Sequence, residues 1–207
     1  MADTQAIASL PNKIEARHGR LTILINNAGV ALGGTFEQLS LEDFEWLMNI
    51  NFWGVVRLTK AFLPMLKRQR QANIVNMSSL FGIIAPPGQT AYCASKFGVR
   101  GFSESLRHEL AGSSVAVTVV HPGGIATSIA KNARLPAGAS PKEAETGIKA
   151  IEKMLTLSPD VAAEQIVAGM QDRVPRVLIG KDAKRAEIIQ RLFPASYFSI
   201  LRKFAGV

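Results

Sequence analysis

The sequence predicts an α/β protein built on a doubly wound, parallel β-sheet. Four apolar runs have the composition of short strands that are covered on both faces, and polar or glycine residues end each run. Stretches with helical periodicity separate the runs. Because strands and helices alternate along the chain, crossover connections are required, and such connections join parallel strands.

The predicted strands end in residues that suit a ligand-binding rim. They span Leu21–Gly29, Asn73–Ser79, Val115–Gly124 and Arg176–Gly180. In a doubly wound sheet, ligands bind at the carboxyl ends of the strands. The polar ends of the first three runs, NNAG, NMSS and HPGG, are therefore expected to lie together on one rim.

Three helices are predicted between the strands. They span Leu41 to about Arg70, Tyr92 to Ala111, and Ser158 to about Asp172. Pro64 predicts a kink or an end in the first helix, and Gly112 predicts the stop after the second. Ser158 and Pro159 form an N-cap and first-turn pair that begins the third.

The overall composition is that of one globular domain. The chain has 207 residues, and 47% of them are hydrophobic, which is ample for a packed core. No apolar run is long enough to span a bilayer, and residues 1–20 lack the pattern of a secretory signal. The single cysteine, Cys93, rules out an internal disulfide and any cysteine-rich metal site. A cytoplasmic protein is expected.

The formal net charge is +8, but its distribution does not favour nucleic-acid binding. The basic residues are spread along the chain, without a block of about five or six like charges. An anionic small-molecule cofactor, or solubility alone, explains the charge as well. The three histidines, His18, His108 and His121, lie in different segments, so no metal site is expected.

Tyr92 and Lys96 are the first candidates for a chemical role, because residues four apart on a helix share one face. A free phenol has a pKa of about 10. An ammonium about 4 Å away contributes roughly 4 kcal/mol at an effective dielectric constant of about 20, which is about 3 pKa units. We therefore predict that Lys96 lowers the pKa of Tyr92 to about 7, where proton transfer is efficient. A pair on a solvated helix face is the alternative.

Ser79 ends the second predicted strand, thirteen residues before Tyr92. Because the strand end and the helix start meet at the rim, the Ser79 hydroxyl can face the Tyr92 phenol and bond the oxygen of a carbonyl or an alcohol. A simple turn serine is the alternative. Strand alternation sends the neighbouring Ser78 to the opposite face.

Three further polar or glycine-rich stretches are candidates. Asn51 interrupts a helical pattern among apolar neighbours and needs a hydrogen-bond partner if it is buried. A satisfied core amide, or a kink near Gly54, is the alternative. The stretches Asn26–Gly29 and Pro122–Gly124 place amide side chains and bare backbone at strand ends, where a flat ligand can approach. Ordinary turn chemistry is the alternative for both.

Five of these motifs together resemble the short-chain dehydrogenase/reductase family. They are NNAG at 26–29, NINFWG around Asn51, IVNMSS ending at Ser79, YCASK at 92–96 and HPGGIAT at 121–127. They occur in the family's order and at its spacing, most closely from Ala2 to Gly124. The resemblance implies a Rossmann-like fold and hydride transfer between a nicotinamide cofactor, NAD or NADP, and a small alcohol or carbonyl substrate.

The resemblance also implies a role for each candidate residue. Tyr92 is the general acid/base, and Lys96 lowers its pKa and holds the nicotinamide ribose. Ser79 orients the substrate oxygen, and Asn51 holds a water that relays protons to Lys96. The small residues around Tyr92 and Lys96 leave room for the ribose and the nicotinamide.

The cofactor-binding residues implied by the resemblance fall into two groups. Those expected against the adenosine half are Asn26, Ala28 and Gly29. Those expected at the nicotinamide end are Pro122, Gly123, Ile125 and Thr127. The variable pocket leaves the substrate unnamed, and nothing in the sequence chooses between NAD and NADP.

The sequence departs from the family before its NNAG motif. Family members carry a strand and a glycine-rich turn of the TGxxxGxG kind there, which presents backbone N–H groups to the cofactor pyrophosphate. Each βαβ-type unit takes about 30 residues, so roughly 60 residues that family members carry before the NNAG motif have no counterpart in this sequence. We expect a single domain over 1–207 that lacks its first βαβ segment, with Leu21–Asn26 as an apolar sheet edge that aggregates or is covered by a partner. A cofactor-less remnant that acts only through protein partners is the alternative function.

Two later segments and one interface are also predicted. Residues 132–157 form a lid over the substrate or, alternatively, a surface loop. Residues 184–207 are basic and amphipathic, and they pack on the protein's own core or on a second subunit, with an interfacial membrane helix as the alternative. The resemblance implies a homo-oligomer formed through the helices at 41–70 and 91–111.

Overall fold

The computed structural model describes residues 3–138 and 141–205 and contains a four-stranded, parallel sheet. The strands are β1 (Ile23–Asn26), β2 (Ala72–Met77), β3 (Val115–Pro122) and β4 (Arg176–Ile179). They lie in the order β1-β2-β3-β4, and each pair of neighbours is parallel. The predicted α/β fold is confirmed, and all four strands lie within the predicted runs or one residue outside them.

The described part of the chain contains eight α-helices. They are α1 (Thr4–His18), α2 (Leu41–Met48), α3 (Gly54–Lys67), α4 (Thr90–Glu109), α5 (Pro141–Glu152), α6 (Pro159–Gln171), α7 (Lys181–Leu192) and α8 (Tyr197–Ala205). Gly112 follows α4 with a φ of 80°, a left-handed conformation that suits glycine at a helix stop. None of the described helices is both long and apolar enough to cross a membrane.

The predicted helical stretch from Leu41 to about Arg70 is confirmed over Leu41–Lys67, because α2, a π-helical turn at Asn49–Trp53 and α3 follow one another without a gap. Pro64 does not end the helix, since α3 continues to Lys67. Pro64 is exposed, so water can satisfy the carbonyl that the missing proline N–H leaves free.

Helices cover the sheet unequally on its two faces. On one face, α1, α3 and α4 pack on side chains from three strands; this core includes Phe62, Leu66, Ile74, Leu106 and Val117. On the other face, α6 packs on the strands from β2 to β4; that core includes Val75, Val120, Ala162, Met170 and Ile179. The strands therefore carry apolar side chains on both faces, as their composition predicts.

The first strand lies at an edge of the sheet, as expected, because β1 pairs with β2 alone among the described strands. Ile23 and Ile25 point away from α3 and are 39% and 48% exposed. Apolar side chains beside unpaired backbone groups make a sheet edge prone to association. The expectation that this edge aggregates or is covered by a partner stays a prediction.

A buried polar network joins β1, β2, α3 and α4. Asn26 Nδ2 donates to Asn76 Oδ1 at 2.8 Å and to Thr59 Oγ1 at 3.1 Å. Asn76 Nδ2 donates in turn to Ser103 Oγ at 2.9 Å. All four residues are buried, so their hydrogen bonds replace those that water would have made.

The C-terminal segment packs on the protein's own core in part. Tyr197 and Leu201 contact a cluster that contains Ile83, Ile84 and Ala186. The side chains of Ile188, Leu192 and Phe193 are exposed, so they do not pack on the core of their own chain. The expectation that this side of 184–207 packs on a second subunit stays a prediction. Gly206 and Val207 lie outside the described residues.

We expect that Asn76→Ala lowers the free energy of unfolding by about 2 kcal/mol, because Asn26 Nδ2 loses its shorter hydrogen bond in a buried site. Urea denaturation measures this change. Asn73→Ala on the same strand is the matched control: Asn73 Oδ1 is buried without a partner among the described residues, so its removal should cost less than about 1 kcal/mol. Equal losses in the two variants would show that the network contributes little.

Candidate active site

The three polar strand ends lie on one rim, because β1, β2 and β3 are parallel neighbours. Gly29 follows β1, Ser79 follows β2 by two residues, and Gly123 follows β3 directly. The first turns of α4 face the same rim, since Lys96 Nζ donates to the carbonyl of Met77, the last residue of β2, at 2.9 Å. The topology therefore brings together the motifs that the sequence singles out.

Tyr92 and Lys96 stand side by side, one turn apart on α4. Lys96 Nζ lies 5.6 Å from the centroid of the Tyr92 ring. Lys96 is 4% exposed, and burial lowers its pKa to about 8, so it is still largely protonated at neutral pH. The pair does not lie on a solvated helix face.

The predicted pKa of about 7 for Tyr92 is wrong for this structure. Burial raises the pKa of Tyr92 above its ordinary value, a hydrogen bond with the Ser79 side chain lowers it, and Cys93 raises it again. The balance is upward, because burial in a low-dielectric site disfavours the phenolate. At neutral pH the Tyr92 hydroxyl therefore carries its proton.

Ser79 is held at the start of a 3₁₀ turn, Leu80–Gly82. Its Oγ accepts a hydrogen bond from Phe81 N at 3.1 Å and is also within hydrogen-bonding reach of the Tyr92 phenol. The Phe81 ring meets the Tyr92 ring edge to face, with centroids 6.1 Å apart. Ser78 points elsewhere, as expected, and donates to the Lys96 carbonyl at 2.9 Å.

Asn51 is buried in the π-helical turn and fixes the loop after NNAG. Its Oδ1 accepts from Val30 N, and its Nδ2 donates to Val30 O, both at 2.9 Å. Nδ2 also lies 3.4 Å from Ser95 Oγ on α4. Gly29, which precedes Val30, lies close to the side chains of both Asn51 and Lys96. A Cβ on Gly29 would be 3.4 Å from Asn51 Oδ1 and 3.5 Å from Lys96 Nζ.

The NNAG residues differ in what they offer to a ligand. Ala28 and Gly29 are exposed on the rim. The Asn26 side chain is buried in the polar network below the rim, so it supports the loop rather than facing the open side.

The glycines after β3 do not leave bare backbone for a ligand, contrary to expectation. A Cβ on Gly123 would lie 2.1 Å from the Asp182 carboxylate, and one on Gly124 would lie 1.9 Å from the Met154 carbonyl. Asp182 also accepts a hydrogen bond from Gly124 N at 2.8 Å. Gly124 is required because the Met154 backbone, just after α5, lies against it, and the Asp182 side chain of α7 occupies the space beside Gly123.

The other candidates of this loop are split between core and rim. Pro122 is half-buried at the end of β3. Ile125 packs on the apolar core under α6, and Thr127 is exposed. Of these two candidates, Thr127 therefore has the more accessible side chain.

Two of the small residues around Tyr92 and Lys96 serve helix packing, and the expectation that the small residues leave room for a ribose stays a prediction. Ala91 packs on Leu32 and Leu47. A Cβ on Gly98 would lie 3.0 Å from the Phe52 ring, so glycine allows α4 to approach the π-helical turn.

His121 is a residue of the site that the motifs did not predict. It is fully buried, and its Nδ1 lies 2.8 Å from the Ser79 carbonyl oxygen. A carbonyl only accepts, so Nδ1 carries the proton and donates. Burial, followed by the cations Arg176 and Arg100, lowers the pKa of His121 to about 4, although the Ser79 carbonyl and Glu104 act in the opposite direction. Its place immediately before Pro122 at a strand end was the available signal.

Two more contacts hold the loop between Ser79 and Tyr92. The Tyr197 hydroxyl of α8 accepts a hydrogen bond from Ala85 N at 2.9 Å. Arg100 donates to the Gly82 carbonyl at 3.4 Å. Neither contact has a local sequence signal, because each joins residues that are far apart in the chain.

The expected lid is partly anchored and partly helical. Arg134 forms an ion pair with Asp43 at 2.8 Å, and its guanidinium lies 3.9 Å from the Trp46 ring centroid. Residues 141–152 form α5, so the alternative of a simple surface loop is wrong for that stretch. Residues 139–140 of this segment lie outside the described part.

A sequence model described as short chain dehydrogenase matches residues 1–137. The chain belongs to the short-chain dehydrogenase family. The matched residues include β1, β2, β3 and α4, and hence every candidate from Asn26 to Thr127. The resemblance is confirmed, and the protein is assigned to a family of oxidoreductases.

Relatives in this family match almost the whole chain. SadH of Mycobacterium tuberculosis is 41% identical over 200 residues, which cover 95% of this chain and 71% of SadH. The dehydrogenase/reductase SDR family protein 7-like of Drosophila melanogaster is 32% identical over 207 residues, covering 99% of this chain and 62% of that protein. The 3-oxoacyl-(acyl-carrier-protein) reductase FabG of Thermotoga maritima is 34% identical over 167 residues, covering 81% and 65%.

The fold is also that of solved family members. A short-chain dehydrogenase/reductase from Burkholderia phymatum, whose structure is in complex with NAD, superimposes with a TM-score of 0.83 at 25% identity. The match covers 92% of this chain and 72% of that one. A short-chain dehydrogenase from Streptomyces avermitilis gives a TM-score of 0.80 at 26% identity.

We expect the buried lysine of this short-chain dehydrogenase to make stability rise with pH. Burial lowers the pKa of Lys96 from its ordinary 10.5 to about 8 in the fold. Between about pH 8 and 10.5 the unfolded chain therefore binds more protons than the folded chain. The free energy of unfolding should therefore increase by up to about 1.4 kcal/mol per pH unit in this window. Urea denaturation at about pH 7.5 and 9.5 measures the increase. Lys96→Met should abolish it, and an unchanged slope in that variant would contradict the assignment.

His121 is expected to lower the stability of the fold at acidic pH. Its pKa is about 4 in the fold and 6.5 ordinarily, so the unfolded chain binds more protons in this interval and stability falls as the pH drops through it. We expect His121→Gln to lose less stability than the parent between about pH 6.5 and 4.5 in urea denaturation. His108→Gln, at an exposed position, is the control and should follow the parent curve.

Proposed function

We propose that this short-chain dehydrogenase transfers a hydride between NAD or NADP and a small alcohol or carbonyl substrate, with Tyr92 as general acid/base. The observation that carries this proposal is the convergence of Ser79, Tyr92 and Lys96 beside Gly29 at the carboxyl rim of the sheet. The complex of the Burkholderia phymatum relative with NAD and the reductase named FabG support the same chemistry. The family match favours it over a remnant that acts only through partners.

The residues present fit the nicotinamide end of the cofactor. Gly29 has no side chain at a point where a Cβ would lie 3.5 Å from the Lys96 ammonium, so ribose hydroxyls could reach this cation. Ala28 and Thr127 are exposed on the same rim. A glycine-rich turn of the TGxxxGxG kind does not occur in the 207 residues, so these residues do not identify the group that binds the pyrophosphate.

When bound, the nicotinamide supplies or accepts the hydride. During carbonyl reduction, the Tyr92 hydroxyl donates its proton to the substrate oxygen, and the Ser79 hydroxyl donates a hydrogen bond to the same oxygen. During alcohol oxidation the proton moves the other way, from the substrate hydroxyl to the Tyr92 phenolate. The Lys96 ammonium stabilises that phenolate by its charge.

The raised pKa of Tyr92 bears on the direction of the reaction. A phenol that keeps its proton at neutral pH is ready to act as an acid, so the free enzyme is poised for carbonyl reduction. Alcohol oxidation needs the phenolate and should therefore become faster as the pH rises above neutrality.

The remaining site residues have supporting parts in this proposal. Asn51 fixes the NNAG loop through Val30 and, by the resemblance, holds a water that relays protons to Lys96. The nucleotide is expected to lie along Ala28 and Gly29, with Asn26 supporting the strand end from below. At the nicotinamide end the expected contacts are Pro122 and Thr127, while Gly123 and Ile125, which pack on Asp182 and on the core under α6, support the loop.

The lid and the quaternary structure are part of the same proposal. Residues 132–157 cover the substrate, with Arg134 as the anchor on α2. Two copies associate through α2–α3 and α4, because Trp53 and Phe97 present large exposed apolar side chains on these helices.

We expect Tyr92→Phe to lower kcat by roughly a hundred- to ten-thousand-fold, because it removes the proton donor and keeps the ring packed on Phe81. The assay follows nicotinamide absorbance with NAD and NADP against a panel of ketones and secondary alcohols. Cofactor affinity, measured by nicotinamide fluorescence, should change by less than about twofold, since binding does not use the phenol proton.

Tyr197→Phe is the matched control, because it removes the only other tyrosine hydroxyl of the chain. It should lower kcat by less than about tenfold, through the lost hydrogen bond to Ala85. Equal losses in the two variants would argue against a chemical role for Tyr92. The absence of saturable cofactor binding to the parent would refute the proposed activity.

A further inference from the structure

One exposed face of α7 combines apolar side chains with cations. At 100° per residue, six exposed side chains of this helix fall within one angular sector of about 120°. They are Lys181, Lys184, Arg185, Ile188, Arg191 and Leu192. Ala183 and Ala186 lie on the opposite side and are buried against the protein. We call these six residues the basic apolar face.

The centre of this face is apolar and its flanks are basic. Ile188 and Leu192 are one turn apart and are 56% and 66% exposed. Lys184 and Arg191 lie on one side of them and Arg185 on the other. Phe193, directly after α7, is 49% exposed and extends the apolar centre.

The acidic groups of α7 do not neutralise this face. Asp182 is bonded to Gly124 N. Glu187 is half-buried and binds Arg176, as well as Arg191 at the margin of the face. Among the described residues, Lys184 and Arg185 form no ion pair with a carboxylate, so the charge that the face presents to solvent is positive.

We propose that the basic apolar face docks α7 on the surface of an anionic lipid bilayer. The aliphatic and aromatic side chains would enter the boundary between headgroups and acyl chains, while the flanking cations bind lipid phosphates. The helix would lie in the plane of the interface, since no described helix can cross a membrane.

The charge pattern favours a lipid surface over two other occupants. Symmetric pairing of two copies through this face would bring cations against cations, which is repulsive. A nucleic acid would match the charge but would leave the apolar centre without a partner. An anionic bilayer is complementary to both parts of the face.

Vesicle sedimentation tests the proposal on the whole chain. The parent protein should bind vesicles of phosphatidylcholine with phosphatidylglycerol at least about tenfold more tightly than vesicles of phosphatidylcholine alone. Because the whole protein is basic, charge alone could produce some of this difference, and the variants must separate the two contributions.

Ile188→Ser/Leu192→Ser leaves every charge in place and should weaken binding to the anionic vesicles by about tenfold or more. Lys184→Glu/Arg185→Glu should weaken it by a similar factor. Lys13→Glu/Arg20→Glu is the matched control: it changes two exposed cations, Lys13 on α1 and Arg20 between α1 and β1, by the same charge. The control should lower binding by less than about threefold. Circular dichroism and thermal unfolding should confirm that each variant folds.

Three results would overturn the proposal. Unchanged binding of the serine variant would show that no apolar group enters the bilayer. Equal losses in the control and in Lys184→Glu/Arg185→Glu would show that net charge alone is responsible. A concentration-dependent dimer in light scattering that the serine variant abolishes, together with no vesicle binding, would assign the face to a second copy. None of these measurements depends on catalysis.

Discussion

The geometry of the rim depends on one buried charge, the ammonium of Lys96. Removing a cation from water is costly unless protein acceptors replace the solvent, and the Met77 carbonyl is such an acceptor. This bond sets the distance between α4 and the carboxyl end of β2. Gly29 lies beside the ammonium, since a Cβ at this position would be in van der Waals contact with Lys96 Nζ at 3.5 Å. Tyr92 is then placed beside Ser79 by the pitch of the helix alone.

The sequence pattern was sufficient to predict the strands that are buried on both faces of the sheet. β2 and β3 are apolar runs in the sequence because they are covered by helices on both faces. The irregularity around Asn51 is visible in the sequence, but its cause is not, because Asn51 in the π-helical turn bonds to Val30, a residue 21 positions away. α1 was missed since its sequence is mostly polar and its only buried residue is Ile7.

The candidate site shows the same division between local and distant causes. The spacing of Tyr92 and Lys96 follows from helix pitch and could be read directly from the sequence. The pKa of Tyr92 could not, because it depends on how deeply tertiary packing buries the phenol. The glycines after β3 were assigned to ligand approach, whereas residues that are distant in the chain occupy the space beside them: Asp182 at Gly123 and Met154 at Gly124. His121 was visible as a residue type, but its bond to Ser79 needs the pairing of strands that only the fold provides.

The hydrogen bond between Tyr197 and Ala85 makes the last helix a structural part of the catalytic loop. Local unfolding of α8 would remove this hydrogen bond, and the segment between Ser79 and Tyr92 would then lose one of its anchors.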